Sequence, residues 1–260
     1  MSKTQVNTIE LDYEDYGKGN VLLLLHGLGS TKKDWDAQVP FFSKTHRVIT
    51  LDLRGHGDST IPLNDYGVEL MTEDVKQLLD QLNIKKATVV GFSMGGAIAF
   101  EMASKHPEYL ENLVIVNSGP DFNDMGKIGE DLLKNRTKFL ETNGVETLAK
   151  EISFNMFPEA HQIDMRNKFE ERCKKNDYNA YLKTFVTLMD WGLGDRIKDI
   201  KTRTLVIASD MDYTPVSFKE NYVKKLSNAT LVVIENSRHG VVIDQPEAFN
   251  IGLEKFLRHE

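Results

Sequence analysis

The 260-residue chain has one cysteine, no long apolar run and no excess of positive charge, and each shortage removes a class of protein. Cys173 alone cannot form an internal disulfide, which fits a reducing compartment; it reads as a half-buried thiol on an amphipathic helix. The longest apolar run, Val21 to Leu25, is far too short to cross a bilayer. The opening "MSKTQVNTIELDYEDYG" carries no apolar stretch of a secretory signal, so a cytoplasmic protein without a membrane partner is expected. A net charge of −7 speaks against nucleic acid, which requires a basic footprint to displace counterions from phosphates. The glycines form neither a Gly-x-Gly-x-x-Gly fingerprint nor a P-loop ending in Lys-Ser/Thr, and no His-Glu-x-x-His helix is present. No cofactor and no metal are therefore expected, the expected partner is a small-molecule substrate, and no pattern fixes an oligomeric state.

What is present is an alternation. Composition is ordinary for a globular chain, 40% apolar and 27% charged, enough for a sizeable core. Val21–Leu25, Val48–Leu51, Thr88–Val90, Leu113–Val116, Leu205–Ala208 and Leu231–Ile234 are short and almost continuously apolar, as strands of a parallel sheet covered on both faces should be. Between several of them lie helical patterns. In "GVELMTEDVKQLLDQLNI", Val75, Leu78, Leu79 and Leu82 recur at spacings of three and four. A second helix runs from Met94 to Lys105 and stops before His106-Pro107, as proline demands. This predicts an α/β fold, a mostly parallel β-sheet flanked by helices, with an antiparallel strand or hairpin in "TIELDYEDYG". From Pro120 to about Ile200 the strand rhythm stops and helical patterns take over. The expected organisation is a core of residues 1–119 and 201–260 with a helical cap, 120–200, inserted in it.

The most informative stretch is "VVGFSMGGAIAF", residues 89–100, a strand that turns into a helix on a serine flanked by glycines. A serine at such a turn is held at strained angles, and the residues two before and two after it approach too closely for side chains. Its hydroxyl would then stand above the sheet at a helix N-terminus, whose dipole favours developing negative charge. A serine hydroxyl needs an imidazole to take its proton, and the imidazole needs a carboxylate to fix its tautomer. Seven histidines are available. His46, His106 and His259 adjoin charged or terminal segments, His161 lies in the insertion, and His26 heads a glycine loop. His56 sits in "DLRGHGDS", which reads as a structural turn, so His239, after the last strand, is the expected base. Two aspartates follow the preceding strand in "LVIASDMDYTPV". Asp212, deeper in the loop and stiffened by Pro215, is favoured over Asp210, which reads as turn chemistry. "LLLLHGLGS" ends an earlier strand in a glycine-lined loop that can aim a backbone N–H at a reacting carbonyl oxygen.

Together, His26-Gly27 with Gly29, Asp52 through Ser59, Gly91-Phe92-Ser93-Met94-Gly95-Gly96, Asp212 with Pro215, and His239 identify the chain as similar to the α/β-hydrolase superfamily, over nearly its whole length. Within it the chain resembles the carboxylesterase and enol-lactonase-like group. That resemblance implies Ser93, Asp212 and His239 as catalytic triad, the N–H groups of Leu28 and Met94 as oxyanion hole, and the helical insertion as a cap over the site. Relatives often carry glycine where this chain has Ser209, and some place the acid after the earlier strand, which makes Asp121 a third candidate. The implied activity is that of a serine hydrolase cleaving a small to medium ester, thioester or lactone through an acyl-enzyme. Carbon–carbon bond hydrolysis with the same triad is the alternative, and a ligand-binding receptor that keeps the triad is another. The large apolar residues of the insertion, among them Phe122, Met125, Phe185 and Met189, lead to an expected preference for uncharged acyl groups.

Overall fold

A computed structural model describes residues 2–258. His259 lies outside the described residues. The strands are β1 (Ser2–Val6), β2 (Ile9–Tyr16), β3 (Val21–Leu25), β4 (Arg47–Leu51), β5 (Ala87–Phe92), β6 (Leu110–Val116), β7 (Thr204–Ser209) and β8 (Ala229–Ile234). The helices are α1 (Val39–Phe42), α2 (Val68–Gln81), α3 (Met94–Lys105), α4 (Gly126–Met156), α5 (Ile163–Cys173), α6 (Tyr178–Met189), α7 (Val216–Val223), α8 (Val241–Asp244) and α9 (Pro246–Leu257). All eight strands form one sheet in the order β1-β2-β4-β3-β5-β6-β7-β8. β1 and β2 pair antiparallel, as the alternating N-terminal pattern predicts, and every pair from β4 to β8 is parallel.

Successive residues of a strand point to opposite faces, and both faces here are covered. Leu23 and Leu25 of β3 join Val75, Leu78 and Leu79 of α2 and Ile98 of α3 in one apolar cluster. Leu22 and Leu24 join Trp35 and the α9 residues Phe249 and Leu253 in the other. That is why the central strands carry no polar alternation. β8 departs from the expectation of a strand covered on both faces. It is the last strand in the sheet, with β7 its single neighbour, and Val233 is 42% exposed.

Between β6 and β7 the chain leaves the sheet and forms α4, α5 and α6. The course of α4 breaks at Gly144, whose φ of 75° lies in the left-handed region that glycine enters without a Cβ clash. Leu140, Leu148, Tyr181, Phe185 and Met189 of the insertion make a small apolar cluster, onto which Leu28 and Phe122 pack. Phe169 and Cys173 of α5 instead reach the cluster beneath the sheet. Cys173 is thus fully buried, not half-buried as its helical pattern suggests, and burial pushes its thiol far above the usual range.

Candidate active site

The parallel strands deliver the candidate residues to one edge of the sheet, at their C-terminal ends, where open α/β sheets bind ligands. Ser93 follows β5 and opens α3 at φ 52°, ψ −117°, a conformation that costs on the order of 1–3 kcal/mol for a non-glycine residue and persists only when the surroundings enforce it. They do. The Ser93 N–H donates to the carbonyl of Val116 (2.9 Å), and the Ser118 hydroxyl donates to the carbonyl of Ser93 (2.7 Å). A Cβ on Gly91 would lie 2.1 Å from the carbonyl oxygen of Gly95, and one on Gly95 would lie 2.3 Å from that of Leu25. No side chain fits at either position, which is the physical content of the Gly-x-Ser-x-Gly spacing.

The loop after β3 is fastened to this turn. The Gly95 N–H donates to the carbonyl of His26 (3.1 Å), and a Cβ on Gly27 would lie 3.3 Å from Cβ of Ser93. Among the described residues neither the Leu28 nor the Met94 N–H has a protein acceptor, whereas the adjacent Gly95 and Gly96 N–H groups are engaged. Two free donors beside the Ser93 hydroxyl are what an oxyanion would need. His26 braces the loop. Burial, with His56 beside it, lowers its pKa to about 3, so the ring is neutral. Its Nε2 accepts from the Leu53 N–H (3.0 Å), which leaves Nδ1 to donate to the Gly27 carbonyl (2.7 Å). His56 is equally buried, its Nδ1 2.9 Å from the carbonyl of Arg54.

His239 lies in the loop after β8, 8% exposed, with Nδ1 2.5 Å from Oδ1 of Asp212. The Tyr213 ring stacks on the imidazole at 4.4 Å and the Phe92 ring lies 5.1 Å away on centroids, so the imidazole is held on its faces as well as at Nδ1. Asp210 is occupied elsewhere. Its carboxylate accepts from the N–H groups of Asn236 (3.0 Å) and Ser237 (3.1 Å) and shapes the turn after β8. Asp121 accepts from the Gly194 N–H (2.6 Å) inside the insertion. Asp212 is the aspartate that meets the histidine.

Two polar partners of this pair have no motif in the sequence. Lys219 of α7 is fully buried, and its Nζ stands 2.5 Å from Oδ2 of Asp212, the oxygen not used by His239. It also donates to Oγ1 (2.5 Å) and the carbonyl (2.6 Å) of Thr214. Burial alone would push the Asp212 carboxyl up; the charges of His239 and Lys219 outweigh it and hold the group at about 2. Asn117, at φ 43° just after β6, donates to the Ser209 hydroxyl (2.7 Å) and the His239 carbonyl (2.8 Å) and accepts from the Ser209 N–H (2.8 Å). One side chain thereby ties the ends of β6 and β7 to the histidine loop, and the Ser209 hydroxyl serves as a bonding partner that glycine could not supply.

Ser93, Asp212, His239 and Leu28 all line one cavity of about 300 Å³ between the sheet edge and the insertion, with Phe122, Met125, Leu132, Ile152, Phe185 and Met189 on its apolar side. The turn after β4 lies outside this lining. There Asp12, Asp52 and Asp58 gather around Lys32, whose Nζ reaches Asp12 at 2.6 Å and Asp52 at 2.7 Å. The lysine supplies the charge those acids need, and Asp52 also accepts from the Asp58 N–H (3.0 Å). This stretch is a brace. Among the described residues no helix is long and apolar enough to cross a membrane.

A family model of the alpha/beta hydrolase fold matches residues 20–246, and the chain belongs to that family, as a hydrolase of it. Among curated relatives, it is 27% identical over 257 residues to 3-oxoadipate enol-lactonase 2 of Acinetobacter baylyi, covering 96% of this chain and 94% of that one. It is 29% identical over 247 residues to a putative carbamate hydrolase of Caulobacter segnis, 91% of each chain. Among solved structures it superimposes on the enol-lactonase from Burkholderia xenovorans with a TM-score of 0.91 at 25% identity, covering 99% of this chain and 100% of that one. A hydrolase from Pseudomonas aeruginosa gives 0.88 at 26% identity, 98% and 97%.

Proposed function

We propose that the protein is a serine hydrolase that cleaves a small to medium carboxylic ester, thioester or lactone through an acyl-enzyme. One observation carries the reading: a serine held at φ 52° shares a cavity with an Asp212–His239 pair bonded at 2.5 Å. With Nδ1 of His239 committed to Asp212, Nε2 is the nitrogen left to take the proton of the Ser93 hydroxyl. Oγ of Ser93 attacks the carbonyl carbon, and the N–H groups of Leu28 and Met94 receive the oxyanion. When the tetrahedral intermediate collapses, the C–O bond (C–S in a thioester) breaks and the leaving group takes the proton from Nε2. Water then repeats the sequence on the acyl-enzyme, with His239 as base, and returns the acid and free Ser93. The cavity of about 300 Å³ suits an acyl group of modest size, and its apolar side receives the hydrocarbon part of that group. Residues 120–200 act as the cap that closes this cavity. The names of the relatives, an enol-lactonase and a carbamate hydrolase, agree with chemistry at an acyl carbon.

The test is Ser93→Ala assayed with 4-nitrophenyl butyrate. Removal of the nucleophile should cost about a thousandfold or more in kcat with the thermal transition retained. A variant that keeps most of the wild-type rate would contradict the mechanism.

A further inference from the structure

Arg136, on the first arm of α4, lines the same cavity as Ser93 and His239 and is the only lysine or arginine among the described residues that does. Arg47, Arg54, Arg172, Arg196 and Arg258 each meet a carboxylate within 4 Å, but Arg136 meets none among the described residues. Its guanidinium instead lies over the Phe185 ring, 5.1 Å from the centroid. Beside it the Tyr181 side chain, 4% exposed, lines the cavity with a hydroxyl that has no hydrogen-bond partner. The Tyr181 ring stacks on the same Phe185 ring, centroids 6.5 Å apart, so the guanidinium and the phenol flank one aromatic side chain of the cavity wall. The two acids of the cavity are engaged elsewhere, Asp212 with His239 and Lys219 and Asp121 with Gly194. A partly buried cation without a counterion, next to an unpaired donor, is a receptor for an anion.

We propose that Arg136, with Tyr181, binds a carboxylate on the acyl part of the substrate, so that the preferred substrate is a half-acid: an ester or lactone with a second, free carboxylate remote from the scissile carbonyl. This rests on the serine-hydrolase reading above and reverses the preference for uncharged acyl groups that the apolar residues of the insertion suggest. Arg136 sets specificity; Ser93 and His239 carry the chemistry.

The experiment compares kcat/KM for 4-nitrophenyl half-esters of succinate, glutarate and adipate with that for the uncharged butyrate, pentanoate and hexanoate esters. At its best chain length the wild-type protein favours the half-ester by about tenfold or more, the scale of a charge-assisted bond gained. In Arg136→Gln that ratio falls by a similar factor, and Arg136→Lys restores part of it. A wild-type protein that favours the uncharged series at every length overturns the proposal, as does an Arg136→Gln ratio equal to wild type. Should Arg136→Gln fold poorly, the wild-type ratio still decides, together with inhibition of butyrate hydrolysis by glutarate at concentrations where pentanol has no effect. Turnover of the uncharged esters without a half-ester advantage removes the carboxylate site and leaves the hydrolase reading standing. If no ester is turned over, calorimetric titration with glutarate decides the site: heat of binding lost in Arg136→Gln upholds it, and no heat overturns it.

Discussion

Lys219→Met should destabilise the protein and make it acid-sensitive, because the lysine is the permanent cation beside the buried Asp212 carboxylate. The Lys219 and Asp212 side chains are 0% and 1% exposed, 2.5 Å apart. Breaking a buried ion pair by removing one partner costs about 3–5 kcal/mol when the other charge is left uncompensated. Here Asp212 keeps His239 at 2.5 Å and a bond from the Tyr213 N–H at 2.7 Å, and methionine refills most of the lysine stem. The expected loss is therefore lower, about 2–3 kcal/mol at pH 7. The pH dependence has a definite sign. A carboxylate held at about 2, below its ordinary value near 3.8, contributes stability that is complete above the ordinary value and disappears as the pH falls toward 2. Without Lys219 less remains to oppose the burial that pushes the carboxyl up, so this contribution shrinks and acid unfolding begins at higher pH. Guanidinium denaturation at pH 7 and an acid titration followed by circular dichroism measure both effects. A loss below about 0.5 kcal/mol, the range of ordinary surface changes, with an unshifted acid transition would show that Lys219 does not sustain the Asp212 carboxylate.

Asp212→Asn should lose on the order of a thousandfold or more in kcat/KM, because asparagine cannot stabilise a protonated His239, while Asp210→Asn, which touches only the turn after β8, should lose far less; the reverse ranking in steady-state assays would move the acid to Asp210. Gly95→Ala should fail to yield soluble folded protein or lose several kcal/mol in chemical denaturation, since its Cβ would sit 2.3 Å from the Leu25 carbonyl oxygen; a variant with wild-type stability and activity would show that the turn has room. Asn117→Ala should lower kcat more than it raises KM, because it frees the His239 loop from Ser209 without touching the cavity's apolar wall; an unchanged kcat would show the loop is held without it.

The parts of this site legible in the sequence are those that a local backbone demand writes into adjacent residues. Gly91 is forced by a contact of 2.1 Å with Gly95 inside the turn itself, so the spacing around Ser93 announces itself, whereas the 2.3 Å contact that forces Gly95 is with Leu25 of the neighbouring strand β3. His239 and Asp212 follow from chain order, because parallel strands deliver their C-terminal loops to a single edge. Lys219, Asn117, Tyr213 and Arg136 were not legible, and for one reason. Asn117, Tyr213 and Arg136 gain their roles from partners distant in sequence and Lys219 from one seven residues back across a loop, and nothing local separates any of them from neighbours of the same type. Lys219 sits in "FKENYVKK", where three lysines look alike and only the packing of α7 decides which is buried. Arg136 reads as one more charge on "EDLLKNRTKFLET" until the fold sets it in the cavity wall over the Phe185 ring. β8 shows the converse limit: an apolar run resembles a covered strand until the strand order places it at the edge.

In the proposed mechanism Ser93 becomes covalently acylated. Incubation with a fluorophosphonate, which phosphonylates an activated serine, followed by peptide mass spectrometry to locate the adduct, shows whether the Ser93 hydroxyl is the activated one. One adduct per chain on the peptide containing Ser93, absent from Ser93→Ala and strongly slowed in His239→Ala, is the predicted result. An unmodified Ser93 in folded protein that hydrolyses esters, or an adduct on another residue, would contradict it.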